Sequence, residues 1–372
     1  MPAIRKILIT TPWFSPAFRA GGPVQSVINM VNNFKNDVAY YILTGNTDLN
    51  GEELNVKEDE WIRYNDITQV MYLKKDKRSE KIIAEAEKIQ PDSIFIIGIY
   101  DWCFNVVPLY FIKNKRKIIS TRGMLMPGAL RQKPLKKKMY FLGWKLFGLQ
   151  KKGFFHATSE AEAAAITDMF GKDAKIQIAA NYPRLFSLLP GGQKRAGVLN
   201  LASIALISPM KNHALVLEAL LQCKMNIVYD IYGPIKDAGY FEICKRLIAQ
   251  MPANVQVTIH GEILPDAVES SLAACDVFIQ PSKSENYAHA IIEALSAGRP
   301  VITSRFTSWN DLAETRAGMN VELNTAAILF AIEKFALMTG QEFAEWQQGA
   351  FYYSRKAVDI TAIHRQYEKL FF

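Results

Sequence analysis

The chain predicts an α/β protein made of two doubly wound, largely parallel sheets, and three observations carry that expectation. Short apolar segments alternate with longer amphipathic ones, the pattern of strands whose two faces are covered by helices. A Pro- and Gly-dense stretch from Pro183 to Gly197 interrupts the rhythm, which then restarts. At 372 residues and 49% apolar composition, the chain is too long for one typical domain and apolar enough for two cores.

In the first half the expected strands are Lys6–Thr10, Tyr40–Thr44, Thr68–Leu73, Ser93–Ile97, Lys117–Thr121, Gly153–Ala157 and Lys175–Ala179. Helical periodicity falls on Gln25–Phe34, Glu80–Ile89, Leu135–Gln150 and Ser159–Met169. After the interruption, strands are expected at Val198–Leu206, Asn226–Tyr232, Val255–His260, Val277–Gln280 and Val301–Thr303, with helices between them. One helical pattern runs from Ala350 to Phe372. No short internal repeat is visible.

Bulk properties exclude several classes. No apolar run reaches about 18 residues, so no spanning helix is expected. The N-terminus lacks a signal-peptide pattern, and Lys6–Thr10 reads as a first strand. Cys103, Cys223, Cys244 and Cys275 have no CxxC spacing and read as buried free thiols of a reducing cytoplasm. No His/Cys cluster suggests a metal. The net charge is +8, but Trp102 to Ser159 holds thirteen Lys and Arg and no acid, so the remainder is net negative. Charge confined to one stretch suggests a local anionic partner, and with no reading motif present nucleic acid is not expected.

The most informative segment is Ser284 to Ile302, in which Glu285 and Glu293 stand eight apart. An apolar strand ends at Pro281-Ser282, a polar turn follows, and an apolar helix closes at Gly298 with Pro300 just beyond. One carboxylate therefore lies in a strand-to-helix turn and the other in the helix body. Both then face the crevice beyond the strand ends, where open α/β sheets bind ligands. Carboxylates accept from hydroxyls and helix N-termini favour anions, so a ligand rich in hydroxyls and carrying a phosphate, such as a nucleotide sugar, satisfies both. Spacing alone is a weak signal, because most such pairs are solvated.

Lys211 follows a strand end and opens an expected helix, Asn212 to Leu221, where a cation beside backbone N–H groups can neutralise a diphosphate. Gly21-Gly22-Pro23 joins the first strand to the first helix, as a plain tight turn or a place of close backbone approach. Arg122 follows the strand ending at Thr121.

Four pieces in order, Ile207-Ser208-Pro209-Met210-Lys211-Asn212, Ile231-Tyr232-Gly233-Pro234, the Glu285–Glu293 segment and Thr307-Ser308-Trp309-Asn310-Asp311-Leu312, resemble the donor domain of the retaining family-4 glycosyltransferases. The resemblance is strong from Ile207 to Gly318 and moderate from Ile7 to Phe34 and from Thr121 to Glu162. It implies the GT-B fold, two Rossmann-like domains facing across a cleft. Residues 1–185 would bind the acceptor, residues 186–354 the nucleotide sugar, and a last helix at about 355–372 would pack back on the first domain. It further implies that Lys211 meets the diphosphate, that Glu285 contacts the donor sugar, and that Glu293 binds the ribose hydroxyls. Backbone N–H groups of Asn286, Tyr287 and Ala288 would meet sugar or phosphate oxygens. Gly21 and Gly22 would lie near the diphosphate and acceptor, and Gly233 would let the nucleoside approach. Lys211, Glu285 and Arg122 would be the catalytic residues, with Arg122 stabilising charge or positioning the acceptor. The resemblance implies no cofactor and no metal beyond a UDP- or GDP-sugar substrate.

The chain departs from the family pattern at Leu206, where an Arg is usual, at Ala288, where Gly is usual, and at Ile97-Gly98, where many relatives have His-Gly. Two alternatives follow: a nucleotide-sugar-binding protein with weakened or lost catalysis, and a GT-B epimerase. Relatives of this pattern build bacterial surface polysaccharides such as lipopolysaccharide, on glycan or lipid-linked acceptors. That implies a cytoplasmic protein, peripheral at the inner membrane face. The basic stretch 113–152 offers a contact with an anionic membrane; its segment Leu135–Leu149 has an apolar face wide enough to be read first as core packing.

Overall fold

The computed structural model of the protein describes residues 4–35, 37–130, 134–188 and 194–372. The Pro190–Gln193 portion of the interruption, Arg131 and Lys133 of the basic run, and the start of the N-terminus at Met1 lie outside the described residues. The chain forms two compact units: residues up to Tyr182 together with Ile360–Phe372, and Pro183–Asp359. The divisions lie within five residues of the boundaries drawn from sequence.

The first unit contains β1 (Arg5–Thr10), α1 (Gly22–Asn33), β2 (Val38–Gly45), β3 (Ile62–Asn65), β4 (Thr68–Leu73), α2 (Arg78–Ile89), β5 (Ser93–Ile97), α3 (Val107–Phe111), β6 (Arg116–Ser120), α4 (Pro127–Leu130), α5 (Pro134–Leu146), β7 (Phe154–Ala157), α6 (Glu160–Phe170) and β8 (Ile176–Ile178). Its sheet runs β3-β4-β2-β1-β5-β6-β7-β8, parallel except for the β3–β4 pair. β5 is buried along its whole length, as a central strand covered on both faces must be.

The second unit contains β9 (Val198–Ile204), α7 (His213–Leu220), β10 (Asn226–Tyr232), α8 (Ala238–Ile248), β11 (Val255–Gly261), α9 (Val268–Ala274), β12 (Val277–Gln280), α10 (His289–Ser296), β13 (Val301–Ser304), β14 (Gly318–Val321), α11 (Thr325–Leu337) and α12 (Gly340–Ala357). Its sheet is parallel throughout, in the order β11-β10-β9-β12-β13-β14. This is the dinucleotide-fold order: crossovers run one way from β9 to β11 and the other way from β12 to β14, so the reversal lies between β9 and β12. Leu199, Leu201, Val216, Leu217, Tyr229 and Phe335 form part of its core.

The last helix, α13 (Ile360–Phe371), belongs to the first unit. Arg116 Nε and Nη2 donate to the carbonyls of Leu370 and Lys369, both at 3.1 Å. Phe371 meets Phe95 edge-on at 5.3 Å, and Tyr367 is wholly buried. The Ala350–Phe372 pattern is thus two helices, because Val358 takes extended backbone (φ −117°, ψ 106°) between α12 and α13. Two further expectations are shortened. The Leu135–Gln150 helix ends at Leu146, with Gly148 turning left-handed, and the Asn212–Leu221 helix begins at His213 because Asn212 is itself left-handed. Edge strands β3 and β14 were not expected from the sequence. Each is only four residues long and carries Asn among its side chains, too short a segment to stand out as a strand. Cys223, Cys244 and Cys275 are buried free thiols, whereas Cys103 is partly exposed.

Candidate active site

The carboxyl ends of β9 and β12 frame the reversal point of the second sheet, and the loop after each carries a charged residue. Lys211 lies after β9 and Glu285 after β12. The two loops are stitched together by Lys283 N donating to the Met210 carbonyl at 2.9 Å and Asn212 Nδ2 to the Pro281 carbonyl at 3.3 Å. This brings Lys211 Nζ onto Glu285 Oε1 as a mostly buried ion pair. The same oxygen accepts from Ser282 Oγ at 2.7 Å and from Gln280 Nε2 at 3.0 Å. All three donors converge on Oε1, while Oε2 accepts no hydrogen bond among the described residues. A carboxylate oriented this firmly presents a fixed acceptor oxygen.

The turn from Glu285 into α10 is held from behind by the Thr307–Leu312 segment. Glu285 N donates to the Phe306 carbonyl at 2.9 Å, Ser308 Oγ to Asn286 O at 2.7 Å, and Trp309 Nε1 to Tyr287 O at 2.7 Å. Tyr287 stands edge-on to the Trp309 ring at 5.2 Å. Ala288 is the N-cap of α10 with φ 59° and ψ 67°, a left-handed backbone that an L side chain rarely adopts. The glycine usual at this place thus has a backbone reason in addition to any effect on a ligand.

Glu293, one turn into α10, is 6% exposed. Its carboxyl accepts no hydrogen bond among the described residues. Burial pushes its pKa up to about 8, against a partial pull downward from the charge of Arg184. Arg184 Nη1 donates to the Pro265 carbonyl at 2.7 Å, in the loop that follows β11. A buried carboxyl without a donor is costly unless something supplies one.

Lys211 also has a neighbour that the sequence did not flag. His213 is buried, and burial with the Lys211 charge lowers its pKa to about 4, so it is neutral. Its ring nitrogens find no hydrogen-bond partner among the described residues. Leu206 is half-buried in the loop after β9.

Gly233, expected to let a nucleoside approach the backbone, has a structural reason of its own: a Cβ built there would lie 2.0 Å from the Ala205 carbonyl oxygen. The glycine is required because the loops after β9 and β10 touch, whatever the ligand. Gly21 (φ 69°) and Gly22, in the first unit, separate in a similar way. Gly21 supplies the positive-φ N-cap of α1 (ψ −134°), while a Cβ at Gly22 would meet nothing within 4 Å, leaving its surroundings open.

Arg122 lies at the turn after β6 in the first unit and is only 9% exposed. Its Nη1 donates to Asn181 Oδ1, and its guanidinium lies 5.7 Å from the Phe95 ring centroid. Glu162 braces the turn: its carboxylate accepts from Thr121 Oγ1, Gly123 N, Thr158 N and Thr158 Oγ1. These bonds outweigh burial and hold the Glu162 pKa below its usual value. His156, fully buried nearby, is pushed down to about 3 by burial and the Arg122 charge. The sequence assigned no site role to Glu162, Gln280, Ser282 or Trp309, although Trp309 stands in one of the pieces that carry the resemblance. Ser282-x-x-Glu285 and Thr158-x-x-x-Glu162 are local spacings, whereas the bonds of Glu162 to Thr121 and Gly123 and those of Trp309 to Tyr287 join residues distant in sequence.

Residues 193–325 match the family model described as glycosyl transferases group 1. A 71-residue stretch is 38% identical to the sulfoquinovosyl transferase of Arabidopsis thaliana; it covers 19% of this chain and 13% of that protein. Among solved structures, the chain superposes on sucrose-phosphate synthase from Thermosynechococcus elongatus with a TM-score of 0.74 at 14% identity, covering 99% of this chain and 98% of that one. It also superposes on HepE from Anabaena, solved in complex with UDP and glucose, with a TM-score of 0.67 at 15% identity, covering 98% of each chain. The chain has the GT-B fold of these glycosyltransferases.

Proposed function

We propose that the protein is a retaining glycosyltransferase that moves a hexose-type sugar from a UDP- or GDP-sugar to a hydroxyl of a glycan or lipid-linked saccharide. The single observation that carries this reading is the convergence of Lys211 and Glu285 at the reversal point of the second sheet, beside the start of α10. That a structural neighbour is solved with UDP and glucose, and that the family match lies within this unit, support the choice of donor.

In this reading the bond from the sugar C1 to the diphosphate breaks as the bond from C1 to the acceptor oxygen forms. The acceptor proton leaves on the departing phosphate, so no protein general base is assigned. Lys211 meets the growing negative charge of the diphosphate, helped by the starts of α7 and α10, and no metal is assigned to that task. Glu285 offers Oε2 to a sugar hydroxyl. Ribose hydroxyls donate to the buried Glu293 carboxylate. The backbone N–H groups of Asn286, Tyr287 and Ala288 are assigned to sugar or phosphate oxygens, and Gly21 and Gly22 to the phosphate and acceptor. Arg122, from its braced turn, is assigned to acceptor positioning. The place of action is the cytoplasmic face of a membrane, in surface-polysaccharide synthesis.

Leu206 and the strained Ala288 favour a second reading, in which the donor binds but transfer is weak. One experiment separates them: release of UDP or GDP from panels of UDP- and GDP-hexoses, with and without saccharide acceptors and with chelator present. Acceptor-dependent release, with the anomeric proton coupling of the product matching the donor configuration, is expected for the transferase. Nucleotide binding without any release would establish the second reading. An inverted product, or release abolished by the chelator, would contradict the mechanism.

A further inference from the structure

We infer that α5 is a membrane-docking helix that lays Leu135, Met139, Leu142 and Leu146 into an anionic bilayer surface while its lysines meet the headgroups. The inference rests on the first unit alone and not on the transferase reading. The sequence suggested that the apolar face of this helix packs into the core. The structure bears this out for Phe141 and Trp144, and it leaves a second apolar arc of the same helix exposed.

Phe141 and Trp144 are buried in the core of the first unit. Tyr140 Oη donates to the Ile99 carbonyl, and Lys137 Nζ donates to the Ala129 carbonyl at 2.6 Å. These four side chains fix the inner face. Leu135, Met139, Leu142 and Leu146 are spaced by four, three and four residues, and so lie within about 60° of one another around the helix. They are 57–78% exposed, and Phe147, just beyond, is 69% exposed. An apolar stripe of that length in water, on a helix already anchored by its other face, is the mark of a binding surface.

Charge decides the occupant. Lys138 and Lys145 border the stripe on one side and Lys136 on the other, and all three are exposed. The helix carries no acid, and none lies anywhere from Trp102 to Ser159. A second copy of the chain would bring two lysine-flanked stripes face to face, with like charges opposed. A bilayer with anionic headgroups offers acyl chains to the stripe and negative charge to both rims. At 13 residues, α5 is too short to span a bilayer and fits the interfacial plane.

The test is co-sedimentation of the full chain with vesicles of phosphatidylcholine alone and of phosphatidylcholine mixed with phosphatidylglycerol. Two triple variants are compared: Leu135→Gln with Met139→Gln and Leu142→Gln, and Lys136→Gln with Lys138→Gln and Lys145→Gln. All six side chains are exposed, and an unchanged melting temperature verifies each fold. The wild type is expected to pellet with the anionic vesicles only, and each variant to lose about tenfold or more in partitioning. A wild type that ignores anionic vesicles, or an apolar-stripe variant that pellets like the wild type, would overturn the inference. So would a dimer in light scattering that the stripe variant abolishes, since the occupant would then be a second copy. UDP and GDP binding, measured on the same samples, reports the second unit separately, so failure of one reading is distinguishable from failure of the other.

Discussion

The Glu293 carboxyl titrates near pH 8 in the folded chain against an ordinary value of 4.5, because burial disfavours its charge. Between those values the folded state holds a proton that the unfolded chain has released, so stability falls as pH rises from about 4.5 to 8. Glu293→Gln is expected to remove that slope and to stabilise the ligand-free protein at pH 8 by on the order of 3 kcal/mol. Urea titrations at pH 5 and pH 8 measure this; an unchanged slope would mean that the carboxyl is already ionised. If ribose hydroxyls donate to this carboxylate, nucleotide binding near pH 7 releases a proton. Calorimetry in two buffers of different ionisation enthalpy detects it. Ala288→Gly is expected to raise stability by about 1 kcal/mol, since glycine relieves the left-handed backbone. A lowered urea midpoint would contradict that. Glu285, Glu293 and Lys211 were all legible as residues, since each stands at a strand end or in the helix that follows. The Lys211–Glu285 pairing was not, because its partners are 74 positions apart and meet only through the strand order.

Among the elements, the loops after β9 and β10 lie so close that Gly233 cannot carry a side chain. Gly233→Ala is expected to cost about 3 kcal/mol or more, read from the thermal midpoint, and to do so equally with and without nucleotide. A loss of nucleotide affinity with unchanged stability would contradict this and favour the ligand-approach role. Strands β5 and β12 were legible to the residue because burial on both faces leaves an apolar run bounded by turn residues, and β4 and β10 because their apolar residues dominate or alternate along the strand. Edge strands β3 and β14 are four residues long and have no such signature. The periodicity of α5 marked an amphipathic helix, but several apolar arcs share its circumference. Which arc is buried depends on what packs against Phe141 and Trp144.

For the whole molecule, the last helix closes the first unit from the far end of the chain. Tyr367 and Phe371 cover Phe34, and Arg116 caps the helix end. Deleting residues 360–372 is expected to abolish hydrogen-exchange protection of β1, β5 and α1 while sparing β9 and β12, a pattern that mass spectrometry resolves. Equal loss in both units would show that they unfold as one. The two-unit plan was legible because the α/β rhythm stops and restarts. The return of the last helix came only from resemblance, since nothing in its own residues names a distant partner. The central claim is that Lys211, Glu285 and Glu293 form a nucleotide-sugar site, and calorimetric titration with UDP, GDP and their hexose conjugates tests it most directly. Micromolar binding of one nucleotide class, lost in both Lys211→Ala and Glu293→Ala while each variant stays folded, is the predicted result. Absence of binding by the folded wild type, or binding untouched by both substitutions, would contradict it.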